Sequence, residues 1–310
     1  MNKELKDNLR KNKYKEIWRH REIYLFLLPA VISVILFKYV PMYGTIMAFQ
    51  DVKIGSAFGQ NDWVGLKHFL RLFRSSWFPT MMWNTAAVSI LQNILCWPFP
   101  IFLAIILHNA TAKRIKKIAQ MSSYLPHLLS LVIVVSIINV FCAGESGLIN
   151  IVLQKLGHER INFFGDPDWV WPLYIVSGVW KETGYSAIVY LGALSSVDEA
   201  LEEAARIDGA GKLQVIRHIQ LPTIVPSMAT MLILNVGKAF SLGADKMLLL
   251  QTNLNLERSE IIATYVYKTG IAGAQYGFST AAGLFQSLIN LGMLILVNTI
   301  VKKMTDVSVV

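Results

Sequence analysis

The chain alternates between long apolar runs and shorter polar connections rich in Lys and Arg. A helix needs ~20 mostly apolar residues to cross a bilayer. Six runs qualify, at residues 23–49, 85–107, 118–142, 170–192, 223–243 and 280–301, so the pattern predicts an all-α membrane protein with six transmembrane helices. Polar residues and prolines recur inside the runs: Gln92, Asn93, Pro98 and Pro100 in the second, Asn235 and Lys238 in the fifth. A bilayer tolerates these where helices pack together or face water, which predicts a bundle with a path through it. In the fourth run, Gly178, Gly184, Ala187 and Gly192 would admit a neighbouring helix closely.

Between the fourth and fifth runs lies a charged insert, Glu203-Ala204-Ala205-Arg206-Ile207-Asp208-Gly209, followed after nine residues by Ile219-Gln220-Leu221-Pro222. It reads as a short helix, a glycine turn, a second amphipathic stretch and a proline opening the next helix. Ala204 and Ala205 would let a partner approach the backbone. Gly209 suits a sharp turn at positive φ, and Pro222 fits a first helical turn, where its missing N–H costs nothing.

This spacing resembles, at every fixed position, the coupling motif of binding-protein-dependent ABC importer permeases. Asn162-Phe163-Phe164-Gly165-Asp166-Pro167, Trp180-Lys181-Glu182-Thr183-Gly184-Tyr185 and Thr264-Tyr265-Val266-Tyr267 are similar to the LplB-type branch of carbohydrate permeases. That branch is common in Firmicutes and takes up oligo- or polysaccharide fragments. The similarity runs from about Tyr39 to the last helix. It implies the type I ABC importer fold in a bacterial, Gram-positive plasma membrane. The expected organisation is a basic cytoplasmic tail (1–22), a first helix with an external segment (23–82), the importer domain (83–303) with its coupling motif at 203–222, and a second tail (304–310). The resemblance also implies that Glu203, Ala204, Ala205, Asp208, Gly209, Ile219, Leu221 and Pro222 engage a cytoplasmic ABC ATPase. Two copies of that ATPase, a second homologous permease and an extracellular sugar-binding lipoprotein would complete the machine.

Composition agrees with a lipid solvent. The chain is 54% hydrophobic and 16% charged, with mean hydropathy +0.46; soluble domains average about 25% charged residues. The net charge of +9 sits between apolar runs, which fits membrane loops rather than nucleic-acid binding. With both termini in the cytoplasm, 17 of the 29 Lys and Arg lie inside and nine outside. That orientation places 203–222 in the cytoplasm. Cys96 and Cys142 lie in apolar runs as small hydrophobes. The N-terminal pattern is not that of a cleavable signal.

Ionisable groups within a bilayer cost ~3 kcal/mol on insertion scales and usually face a cavity or a partner. Lys181, Glu182, Tyr185, Asn235, Lys238, Gln286 and Asn290 are therefore candidates for a substrate path, since sugar sites combine aromatic faces with amides and charges. Each also has a structural reading: Lys181 snorkelling or pairing with Glu182, Asn290 bonding a neighbouring helix, Lys238 pairing with Asp245. A neutral and an acidic sugar both remain open. His108, His127, His158 and His218 lack ligand spacing and read as ordinary loop or helix-end residues. The segment Gly209-Ala210-Gly211-Lys212-Leu213 lacks the first glycine and the Ser or Thr of a phosphate loop. The chain is thus expected to bind no cofactor, with ATP and magnesium used by the partner ATPase. A membrane-embedded enzyme acting on surface polysaccharide would want clustered carboxylates, and Asp166, Asp168, Glu257 and Glu260 are scattered. A secondary transporter would want mid-membrane ion ligands and inverted repeats, and neither alternative explains the 203–222 insert.

Overall fold

The computed structural model describes residues 19–53, 55, 61–240 and 242–305. Most of the basic tail (1–18) and residues 306–310 lie outside the described residues. Among the described residues the fold is helical apart from one two-stranded antiparallel hairpin, β1 (Gln50–Asp51) against β2 (Asp62–Trp63). In chain order the helices are α1 (Arg21–Val34, continued by tighter and wider turns to Phe49), α2 (Lys67–Phe73), α3 (Phe78–Cys96), α4 (Pro98–His108), α5 (Lys113–Leu128), α6 (Leu131–Cys142), α7 (Leu148–Lys155) and α8 (Val170–Leu194). After them come α9 (Glu199–Ile207), α10 (Lys212–Val215), α11 (Leu221–Val236), α12 (Ala244–Leu250), α13 (Leu256–Ser259), α14 (Ile262–Val266) and α15 (Tyr276–Thr305).

Among the described residues, four continuous helical stretches are long and apolar enough to cross a membrane: Arg21–Phe49, Phe78–His108, Lys212–Val236 and Tyr276–Lys303. They correspond to the first, second, fifth and sixth predicted runs. Pro98 and Pro100 do not break the second, because Trp97 keeps helical angles (φ −69°, ψ −44°) and Pro98 falls in the first turn of α4. The third run is not one straight span. Its halves, Lys113–Leu128 and Leu131–Cys142, meet at 104°. Leu129 is extended there (φ −74°, ψ 139°), and Ser130 caps α6 by accepting from the Ile133 N–H at 3.3 Å. The fourth run forms α8, whose 25 residues suffice in length to cross, though its polar residues leave it less apolar than the other four. Length and composition thus support four crossings, or five with the bent pair counted as one.

The least apolar long helix is also the hub. α8 packs on α3, α4, α5, α11 and α12. One buried cluster joins Val88, Val135, Tyr174, Met247 and Ile261; a second joins Ile101, Ala104, Ala187, Tyr190 and Ile224. The close approach expected at Gly184 occurs: a Cβ there would lie 1.9 Å from the Ser123 carbonyl oxygen of α5. Gly192, by contrast, has nothing within 4 Å. None of the residues Arg21–Val34 is buried, whereas the continuation Tyr43–Phe49 packs on α15 and buries Ala48. Several aromatic rings pack on one another, Phe163 on Trp169 and Phe73 against Phe78 and Phe285.

Candidate functional site: a mid-height polar cavity and a charged hairpin

A cavity of about 280 Å³ opens between α3, α4, α8, α11 and the turn that follows α11. Gln92, Asn93, Trp97, Glu182, Tyr190, Asn235 and Lys238 are among its lining residues. Asn93 is the central residue of the Phe78–His108 helix, so the cavity sits near half height. Its wall is unusually polar for this depth. The Gln92 Oε1 is buried without a hydrogen-bond partner. Among the described residues, no ion pair joins Lys238 to Asp245.

The seven path candidates divide by what they touch. Glu182, Asn235 and Lys238 line the cavity. Lys181 turns away from it and donates to the carbonyls of His127 (2.7 Å) and Leu129 (2.9 Å). It thereby satisfies backbone oxygens that the bend between α5 and α6 frees from helical bonding. Glu182 holds the same corner, with its Oε2 2.9 Å from the His127 Nδ1. Tyr185 stacks on the His127 ring, centroids 3.9 Å apart and planes within 4°. Gln286 and Asn290 of α15 grip the turn after α11: Gln286 donates to the Phe240 carbonyl, and Asn290 Oδ1 accepts from the Phe240 N–H at 3.0 Å. That turn carries Lys238.

Two residues of this region escape a reading of the sequence. His127, taken as an ordinary helix-end residue, is the hub of the bent corner. Lys246, between the fifth and sixth apolar runs, is 7% exposed. Its ammonium donates to the Tyr174 carbonyl at 2.6 Å and lies 4.3 Å from the Tyr174 ring centroid. Gly178, one turn beyond Tyr174, faces the same ammonium, and a Cβ there would stand in ordinary contact with it at 3.5 Å. The available signal was a lysine set directly before the apolar stretch Met247-Leu248-Leu249-Leu250.

The insert at 203–222 forms a helical hairpin at one end of the bundle. Asp198 caps α9 by accepting from the Ala200 N–H at 2.9 Å. Gly209 turns the chain at φ +87°, a conformation glycine adopts without steric penalty. α10 then runs through a wide turn, Ile216–Gln220, directly into α11, with Pro222 in its first turn. Glu203, Ala204, Asp208 and Gly209 are exposed, whereas Ala205 and Ile219 are half-buried beside a shallow pocket between the two arms. Leu221 and Pro222 begin α11. Glu202, one position before the motif, contacts Gln220 and Arg206. Of the scattered carboxylates, Glu260 pairs with Lys268 at 2.8 Å and Asp168 with Arg258 at 3.8 Å, in separate places.

Long apolar helices around a polar mid-height cavity, with a charged hairpin at one end, define a membrane transport subunit. The model of the family "binding-protein-dependent transport system inner membrane component" matches residues 97–306, and this chain belongs to that family. It is 40% identical over 96% of its length to the polygalacturonan/rhamnogalacturonan transport system permease protein YteP of Bacillus subtilis (strain 168), covering 93% of that protein. It is 36% identical to protein LplB of the same organism, with 92% of this chain and 90% of LplB covered. Among solved structures it superimposes with a TM-score of 0.86 and 36% identity on a chain of a bacterial ABC transporter involved in the import of the acidic polysaccharide alginate, over 95% of this chain and 99% of that one. A structure described as the alginate transporter in complex with an alginate pentasaccharide-bound periplasmic protein matches equally well. The chain is therefore a permease subunit of the type I ABC importer fold.

Proposed function

We propose that this permease forms half of the translocation path of an ATP-driven importer of acidic oligosaccharide fragments. The observation that carries the reading is the Lys238 side chain, which borders the cavity beside Asn93 and Asn235. A lysine beside a neutral-sugar path is an uncompensated expense in a bilayer; beside a uronate it supplies a charge-assisted hydrogen bond. Two of the similar proteins support this reading: one solved structure belongs to an importer of the acidic polysaccharide alginate, and YteP is named for polygalacturonan, a polymer of a uronic acid. The amides of Gln92, Asn93 and Asn235 suit hydroxyls, and Trp97 and Tyr190 offer flat faces.

The finer architecture belongs to the same proposal. The chain crosses the membrane six times with both termini in the cytoplasm, the bent pair and α8 supplying the third and fourth crossings. The hairpin at 203–222 docks on a cytoplasmic ABC ATPase, present in two copies, which uses the ATP and magnesium. A second related permease completes the path, and an extracellular lipoprotein delivers the sugar. Uptake of size-matched neutral and uronate oligosaccharides by the complete transporter tests the substrate assignment, in the wild type and in Lys238→Met. The mutant is expected to lose uronate uptake selectively. Equal loss of both substrates, or none, refutes an acidic path at Lys238.

A further inference from the structure

The hairpin is held to the bundle almost without apolar packing. α9 buries none of its nine residues, and α10 buries only Val215. What ties the hairpin down is a chain of polar contacts through Gln220, which is 0% exposed. The Gln220 Nε2 donates to Glu202 Oε1 at 2.8 Å and to Asn109 Oδ1 at 3.1 Å, while its Oε1 accepts from Asn109 Nδ2 at 2.8 Å. Asn109 follows the last turn of α4 and also donates to the Ile105 carbonyl at 2.9 Å. The other Glu202 oxygen takes Arg206 at 3.2 Å, and His108 Nε2 stands 3.8 Å from Oε1. The Glu202 side chain is only 13% exposed. Every hydrogen-bonding position of the Gln220 amide except one acceptor lone pair is used, and a buried network satisfied to this degree favours one arrangement of the parts it joins.

We infer that Asn109, Gln220 and Glu202 form a positioning clasp through which displacement of the hairpin reaches the cavity-lining helices. Gln220 stands immediately before α11, which carries Met231 and Asn235 into the cavity; Asn109 ends the helix that carries Gln92, Asn93 and Trp97 there. The hairpin thus grips two walls of the cavity at once. The exposed Glu203 touches the ATPase surface in this picture, while the half-buried Glu202 beside it faces inward and transmits. This inference rests on the reading of the hairpin as the ATPase docking element.

The test uses the complete transporter carrying Gln220→Met, with three readouts: co-purification of the ATPase, ATP hydrolysis with and without the binding protein, and uptake. The expected result is an assembled, hydrolysing complex whose uptake falls about tenfold or more, the scale of a lost coupling of 1–3 kcal/mol between sites. The exchange Glu202→Gln with Gln220→Glu keeps the charge and the Asn109 Nδ2 contact, so it is expected to recover much of the uptake. Unchanged uptake in Gln220→Met overturns the inference. So does uptake falling strictly in parallel with hydrolysis, or an exchange variant no better than Gln220→Met. If Gln220→Met does not accumulate, Asn109→Ala is judged by the same three readouts and the same outcomes. Failure of the docking reading shows separately: Glu203→Arg would leave ATPase co-purification and uptake untouched.

Discussion

Gly184→Ala adds one methyl group where α8 passes closest to the backbone of α5 at Ser123. The new Cβ would stand 1.9 Å from the Ser123 carbonyl oxygen and 2.3 Å from its carbon. Both are backbone atoms, so no side chain can rotate out of the way. Contacts below 3.0 Å are essentially never seen, so α5 and α8 must separate locally by at least ~1 Å, and overpacking of this kind costs about 1–3 kcal/mol. The separation also lengthens the Lys181 bonds to His127 and Leu129, now 2.7 and 2.9 Å, past the range in which they act as hydrogen bonds. Polar contacts between membrane helices average ~0.6 kcal/mol each, so their loss adds about 1 kcal/mol. Against this, alanine is favoured over glycine within a helix by up to ~1 kcal/mol. The balance is a loss of about 1–3 kcal/mol. Thermal unfolding of the detergent-solubilised transporter reads it, with Gly192→Ala as the control on the same helix, where nothing lies within 4 Å. Gly184→Ala is expected to lower the midpoint, and Gly192→Ala to leave it unchanged or raise it. Equal midpoints for the two variants would show that the crossing at Ser123 is looser than described, and the argument would fail.

Two further outcomes are expected. Gly209→Val should leave the protein in the membrane and impair uptake, because φ of +87° costs a side-chain-bearing residue about 1–2 kcal/mol; Gly209→Asn should be milder, and matching wild-type uptake in both would dissociate the turn from function. For orientation, single cysteines at Lys155 and Lys212, introduced after replacing Cys96 and Cys142, should label from outside at the first and only after permeabilisation at the second; the reverse order would invert the topology.

How much of this was legible beforehand depended on whether the signal was local. Runs such as 85–107 and 280–301 announce helices by composition, and the helices run past them, starting at Phe78 and Tyr276, because a spanning helix continues beyond the hydrocarbon. The 104° bend was hidden because the apolar residues Leu128, Leu129 and Leu131 run straight across it; Pro126 and the capping Ser130 mark it. The roles of Lys181, Tyr185, Gln286 and Asn290 were not local. Their partners lie 46 to 58 residues away in sequence, and no periodicity connects residues at that range. Glu202 was passed over for a similar reason: the repeat of the motif begins at Glu203, but burial turns its neighbour inward.

The Phe78–His108 helix is tied at both ends. Near the start, Asn84 donates to the carbonyls of Glu257 and Glu260 at 2.9 and 3.0 Å; just past the finish, Asn109 holds Gln220. A rod fastened this way is a lever, and its arms can be measured along the axis. At 1.5 Å per residue, Asn84 lies ~37 Å from Asn109 but only ~13 Å from Asn93. Pivoting about the Asn84 end, a tilt of ~5° sweeps the far end through about 3 Å and the cavity wall through about 1 Å. The leverage trades distance for force: a broad stroke at the hairpin becomes a small, strong adjustment where the amides of Gln92 and Asn93 meet their cargo.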